Sequence, residues 1–314
     1  MGYTLCVIGC GTMGIAIISG VIDSLQSKDR ARSFPKWESH TPGTSTPAVD
    51  IESDPSLPSY FIACVTREES ARKLGHTFAA LGGFGSQVQI LVSENVQAAQ
   101  HADVIILCCK PQQVSSILTE AGMADALEGK LVISILAGVT ISQLTALVSP
   151  STKVVRAMPN TPCRIREGMT VVSNLPQSSH ADLDRTTILN IFSSIGRCRF
   201  LDEKHFDACT ALSGSGPAFA CIFLEAMADG GVMMGLPRAE ALELASQTLQ
   251  GAARMALQPG AHPAQIKDSV TTPGGCTIAG LLAMEDGKVR STIARAIQVA
   301  TERASELGQP STKK

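Results

Sequence analysis

An uninterrupted apolar run, Tyr3–Ile8, leads straight into Gly9-Cys10-Gly11-Thr12-Met13-Gly14 and then into an apolar helical stretch over 15–25. Apolar residues at consecutive positions fit a strand buried on both faces, the habit of parallel sheets covered by helices on each side. Strand, G-x-G-x-x-G and helix, in that order, open a dinucleotide-binding βαβ unit. The glycines have separate tasks. Gly9 permits the tight turn, Gly11 lets a pyrophosphate approach the backbone, and Gly14 lets helix and strand pack closely. The motif is common in isolation, and its place between a strand and a helix is what makes it specific.

The same rhythm continues down the chain. Strands are expected at 60–66, 88–92, 102–109, 131–136 and 153–157, with helices between them, and again at 169–173 and 197–201. Alternating strands and helices with apolar strands predict an α/β protein with a doubly wound parallel sheet of Rossmann type. Ligands bind beyond the carboxyl ends of such strands, so Cys109, Lys110 and Pro111, and likewise Leu136, Ala137 and Gly138, are candidates for the cofactor crevice. A solvated loop lysine is the plain alternative for Lys110. The second strand ends at Thr66-Arg67, where an NAD enzyme usually carries an acid for the ribose hydroxyl. A hydroxyl beside a guanidinium suits a 2′-phosphate instead, which favours NADPH, with NADH as the alternative. Glu68 and Glu69 follow, and they suit the first turn of the next helix.

Residues 27–59 break the rhythm with five prolines, many Ser and Thr, and the only tryptophan, Trp37. They are expected to form a surface insertion. After Asp202 every segment has helical periodicity, with helices over 217–236, 238–258, 263–270, 278–286 and 289–307. The expected division is a dinucleotide-binding domain over 1–202 and an all-α domain over 203–314. Hydrophobic content of 44% and a net charge of −2 argue against global disorder and against a nucleic-acid partner. The ten cysteines sit mostly in apolar strand-like runs, with no C-x-x-C spacing and no His/Cys clusters of the kind that bind zinc. Buried free thiols, and a strand beginning at Tyr3 that leaves no room for a signal peptide, point to the cytoplasm and to no metal. The apolar segment 217–236 contains Glu225, Asp229 and three glycines, so it is expected to be a buried soluble helix and not a membrane span.

Near the C-terminus, Thr271-Thr272-Pro273-Gly274-Gly275-Cys276-Thr277 separates two helical stretches. Adjacent glycines before a helix start leave backbone N–H groups pointing outward, enough to hold a carboxylate without a cationic side chain. Thr277 is expected to cap the new helix. A tight helix–helix turn is the plain alternative, but a cofactor half-site in the same chain favours an enzyme acting on a small carboxylate.

Taken together, the glycine loop, Cys109-Lys110-Pro111, Met158-Pro159-Asn160-Thr161-Pro162, Leu212-Ser213-Gly214-Ser215-Gly216-Pro217 and the run from Pro263-Ala264-Gln265-Ile266 to Thr277 resemble the Δ1-pyrroline-5-carboxylate reductases, which complete proline synthesis. The resemblance spans nearly the whole chain outside 27–59. It implies reduction of 1-pyrroline-5-carboxylate to L-proline with NADPH, and a helical domain that dimerises by interleaving, often into rings of dimers. Cofactor contacts are implied at Ile8, Gly9, Cys10, Gly11, Thr12 and Met13 beside Gly14, at Thr66, Arg67 and Asn95, at Cys108, Cys109, Lys110 and Pro111, and at Ile135, Leu136 and Ala137. Substrate contacts are implied at Glu203, Thr272, Gly274, Gly275, Cys276 and Thr277, with Thr277 the catalytic residue, hydrogen-bonded to the ring nitrogen. Gly14, where many members have Ala, and Cys276, where a smaller or hydroxylated residue is frequent, depart from the pattern. Two other functions are weighed: a reductase of the same fold acting on another cyclic imino acid, for example a six-membered ring, which the sequence does not separate, and a non-catalytic NADP-binding regulatory protein, which would need the C-terminal loop degraded, whereas that loop is complete. No membrane or nucleic-acid partner is expected.

Overall fold

A computed structural model describes residues 2–33, 54–175 and 181–307. Eight strands form one sheet: β1 Tyr3–Ile8, β2 Pro58–Val65, β3 Gln89–Val92, β4 Val104–Leu107, β5 Leu131–Ser134, β6 Lys153–Met158, β7 Gly168–Ser173 and β8 Gly196–Leu201. Their order is β3-β2-β1-β4-β5-β6-β7-β8. Neighbours run parallel except β6 and β7, which pair antiparallel through Ala157↔Val172 and Met158↔Val171. The expected doubly wound parallel sheet forms, and β7 joins it through one antiparallel step. Residues 159–167 are too short a connection to cross the sheet, which parallel strands require; they fold as a 3-10 turn over Thr161–Ile165, and the chain reverses.

Helices cover both faces. α1 is Thr12–Ser33, α2 Glu68–Ala79, α3 Asn95–His101, α4 Val114–Leu118, α5 Met123–Ala126, α6 Ile141–Thr145 and α7 Ala181–Ser193. Successive strand residues feed opposite layers. Leu5 and Val7 join Ile17, Ile18 and Ile22 of α1 and Ile188 and Phe192 of α7 in one core, while Cys6 and Ile8 join Ala98, Ala99, Leu118 and Met123 in the other. Both faces of β1 are thus sealed, and the carboxyl edge of the sheet is left for ligands.

The expected insertion over 27–59 is narrower in the structure. α1 runs on to Ser33, because 26–33 holds good helix formers and the first proline comes only at Pro35. β2 begins at Pro58, a first-residue position where proline costs no ladder hydrogen bond. Residues 34–53, including Trp37, lie outside the described residues.

The chain divides into two compact units, 1–210 with 304–314, and 211–303. The elements that follow β8 are helical: α8 Phe206–Cys209, a π-turn over Thr210–Gly214, α9 Gly216–Met233, α10 Arg238–Ala256, α11 Pro263–Ser269, α12 Cys276–Asp286 and α13 Val289–Leu307. Within the second unit α9 packs on α10, where Gly231 lies against Ala241. The expectation of a buried apolar helix fails within this chain. Ile222, Met227 and Met233 of α9 are exposed, and the buried described residues of the whole unit are alanines: Ala211, Ala228, Ala241 and Ala245. By length and composition alone, Glu203–Met233 is apolar enough to cross a membrane. Among the described residues, much of its apolar surface has no cover from its own chain.

Candidate active site

The β1–α1 turn meets its geometric requirements. Gly9 adopts φ +80°, and a Cβ there would stand 2.7 Å from the Cys109 Cα. A Cβ on Gly14 would meet Val7 Cγ1 at 2.8 Å, so helix and strand touch where only hydrogen fits. Gly11 differs: its φ is ordinary, and an added Cβ would meet nothing nearer than the Gly9 carbonyl at 3.9 Å. The space above Gly11 is therefore open. The N–H groups of Gly9 and Cys10 are tied to the Cys64 carbonyl, at 3.0 and 2.8 Å, and that of Gly11 to Gly9 at 2.7 Å. The anion-holding amides are those that open α1, at Thr12, Met13 and Gly14, which no intrahelical carbonyl can satisfy.

This turn forms one wall of a cleft of about 470 Å³ at the carboxyl ends of β1, β2 and β4. It lies where the strand order reverses direction away from β1, the place dinucleotides occupy in such sheets. Of the predicted contacts, Ile8 to Gly11, Thr66, Arg67, Asn95 and Cys108 to Lys110 line it together. Thr12, Met13, Gly14 and Pro111 flank it without lining it, and Ile135, Leu136 and Ala137 follow β5, one strand further from β1. Leu136 is buried and Ala137 exposed. Ser70, Gln113, Ser116 and Glu120 line the cleft and were not foreseen. Ser70 lies three residues beyond Arg67, one helical turn along the same face, and that spacing was the available signal. Gln113 stands in the turn after β4, where its Oε1 accepts from the Lys110 N–H at 3.4 Å.

Arg67 is the N-cap of α2, at the helix's positive end, and it is exposed and lines the cleft. Glu68 and Glu69 fall in the first turn of α2, and Glu69 pairs with Lys73 at 2.7 Å along the helix. The cleft floor carries thiols. Burial pushes Cys10 up to about 12 and Cys109 to about 11, and drives Cys108 well above the ordinary thiol range. All three stay neutral at physiological pH, so no thiolate repels a phosphate. A clear space over Gly11, unspent helix amides and an exposed guanidinium fit a phosphorylated dinucleotide. Among the described residues no His/Cys/Asp/Glu group is arranged to hold a metal.

In the second unit, Thr272-Pro273-Gly274-Gly275 is a type II turn. Proline sits at its second position, Gly274 at the third with φ +69°, and Gly275 N–H donates to the Thr272 carbonyl at 3.1 Å. Gly275 has no room for a side chain, since a Cβ would meet Thr272 Oγ1 at 2.5 Å. Two expectations change. Gly275, not Thr277, is the N-cap of α12, because the turn delivers the chain in extended conformation one residue before Cys276. The Gly275 N–H is also spent inside the turn, so the amides left for a carboxylate are those of Cys276, Thr277 and Ile278. Thr277 is half-buried, and its hydroxyl makes no hydrogen bond among the described residues.

Glu203, the remaining predicted substrate contact, stands past β8 in the first unit. Its Oε1 accepts from the Ile141 N–H at 2.9 Å and from Arg156 at 3.2 Å, and it lines a separate pocket of about 430 Å³ with Gly138 and Thr140.

Residues 203–307 match the family model described as pyrroline-5-carboxylate reductase dimerisation, and residues 51–138 one described as NADP oxidoreductase, coenzyme F420-dependent. In sequence the chain is similar to the pyrroline-5-carboxylate reductase of Lophium arboricola, at 48% identity over 98% of this chain and 93% of that one. It is similar to that of Schizosaccharomyces pombe at 44% identity, over 97% and 99%. In structure it is similar to the pyrroline carboxylate reductase of Plasmodium falciparum with NADP bound, at a TM-score of 0.72 and 27% identity over 98% of each chain.

Proposed function

The chain belongs to the pyrroline-5-carboxylate reductase family, and from that premise we infer that it reduces 1-pyrroline-5-carboxylate to L-proline with NADPH. The observation that carries the reading is that a complete glycine-loop cleft and a complete Thr272–Thr277 turn occur in one chain. A non-catalytic dinucleotide binder has no use for the second. When bound, the nicotinamide supplies the hydride that the imine carbon accepts. The chain's own residues bind and orient. The leading amides of α1 hold the pyrophosphate, Arg67 and Thr66 take the 2′-phosphate, and the leading amides of α12 take the substrate carboxylate. Thr277 donates its hydroxyl hydrogen to the nitrogen as that atom gains a lone pair. A protonated imine is already electrophilic, so orientation and exclusion of water do most of the work.

The helical part of the chain makes it a homo-oligomer, and the exposed apolar surface of α9 supports burial against a second subunit, not in lipid. Glu225 and Asp229 on that helix would be costly in a bilayer. Rings of dimers, a cytoplasmic location, a functional division near Asp202 and a site shared between neighbouring subunits complete the reading. The test is loss of NADPH absorbance with the five-membered imine against its six-membered homologue. Preference for the five-membered ring is expected, and no oxidation of NADPH with either would overturn the reading.

Arg67→Ala should weaken NADPH binding selectively. Losing one charge-assisted contact to phosphate costs roughly 1.5–3 kcal/mol, about one to two decades in affinity. Titration with both cofactors decides it. Equal losses for NADPH and NADH, or none, would place Arg67 outside the cofactor site.

A further inference from the structure

Arg156 is a charge in the interior of a sheet. It lies in β6 between Val154 and Val155 on one side and Ala157 on the other, and it is 5% exposed. Its guanidinium carbon lies 4.9 Å from the centre of the Phe206 ring, itself buried, and Nη1 donates to Glu203 Oε1 at 3.2 Å. A buried ion pair contributes little net stability, and a well-packed apolar residue often serves the fold as well. What the pair does achieve is orientation. Both hydrogen bonds to Glu203, from Arg156 and from the Ile141 amide, go to Oε1. Oε2 has no hydrogen-bond partner among the described residues, and the carboxylate borders the pocket past the carboxyl end of β5. That is the side of the sheet on which ligands bind.

We propose that Arg156 is a positioning residue for the reduction, fixing Glu203 through Oε1 so that Oε2 stands free as the counter-charge to the cationic ring nitrogen of the substrate. The proposal rests on the reading of Glu203 as a substrate contact. The protonated imine carries one N–H, and Oε2 accepts it. Phe206 completes the arrangement, because a planar guanidinium laid on a ring cannot swing away from its carboxylate.

The experiment is a double-mutant cycle on the full-length enzyme, with kcat/KM for 1-pyrroline-5-carboxylate, NADPH affinity and melting temperature read for each variant. Glu203→Gln and Arg156→Met are each expected to lower kcat/KM by about tenfold or more. NADPH affinity should stay within about twofold, since neither residue lines the cofactor cleft. The double variant should be no worse than Glu203→Gln alone, because Arg156 acts only through Glu203. Additive losses would overturn the proposal. Wild-type activity in Glu203→Gln would sink the reading of Glu203 itself, whereas an impaired Glu203→Gln beside a fully active Arg156→Met sinks only the positioning role. Should Arg156→Met fail to fold, Arg156→Lys carries the test. It keeps the charge and loses the planar stack, so kcat/KM should drop by about threefold or more with melting unchanged, and a wild-type value would overturn the proposal.

Discussion

Gly11→Val abolishes NADPH binding and leaves the fold intact: at least ~100-fold in Kd, about 2.7 kcal/mol, is the expected loss. The two halves of that result have separate causes. Gly11 has an ordinary φ, and a Cβ there meets nothing closer than 3.9 Å, so the protein itself accepts a side chain. The only thing valine displaces is what comes to lie over the turn. Calorimetric titration with NADPH checks the first half and thermal melting the second. Gly9→Val is the contrasting control, because its φ of +80° and the Cys109 Cα at 2.7 Å put the strain in the fold. Unchanged NADPH affinity in the Gly11 variant would remove the glycine loop from the cofactor site.

Thr277→Ala should lower kcat/KM by ten-fold or more, about 1.4 kcal/mol of transition-state stabilisation, while the melting temperature does not move. Had Thr277 been the cap of α12, its loss would cost about 1 kcal/mol of stability. Gly275 holds that position, and the Thr277 hydroxyl has no partner among the described residues, so the fold loses nothing with it. Activity and stability therefore separate, and Thr277→Ser should recover most of the activity. NADPH affinity should stay constant across the series. A fully active alanine variant would leave the substrate to the backbone amides alone.

The strands were legible because each is a short apolar run closed by a glycine, a proline or a charged turn, and every expected run became a strand. Direction along β7 was less plain, since an apolar run reads the same both ways. The clue was the short, proline-containing stretch from Pro159, which cannot make a crossover. The residues named at the ends of β1, β2 and β4 come together in one cleft, because backbone position alone selects them. Ser70 and Ser116 were missed because they enter from helix faces whose phase depends on where α2 and α4 begin, and Glu120 because it follows the end of α4. Leu136 and Ala137 were placed at the crevice by strand-end reasoning and Ile135 by the resemblance, and all three follow β5, one strand further from β1. The position of Thr277 was misjudged for a local reason. A threonine near a helix start looks like a cap, but a type II turn with Pro273 and Gly274 at its centre fixes where the helix begins. Arg156 gave no signal at all, since nothing in Val-Val-Arg-Ala tells a partnered core charge from a surface one.

The second unit buries only alanines of its own, and this bears on how the protein responds to dilution. A few methyl groups cannot offset the conformational entropy of ordering five helices. Those helices therefore hold their shape by mass action, and the free energy of folding contains the subunit concentration as a term. The first unit, with two sealed apolar layers, is independent of that term. The melting curve of the whole protein should thus shift with total protein, and the unit that carries the Thr272–Gly275 turn is the one that answers to how many copies the cell makes.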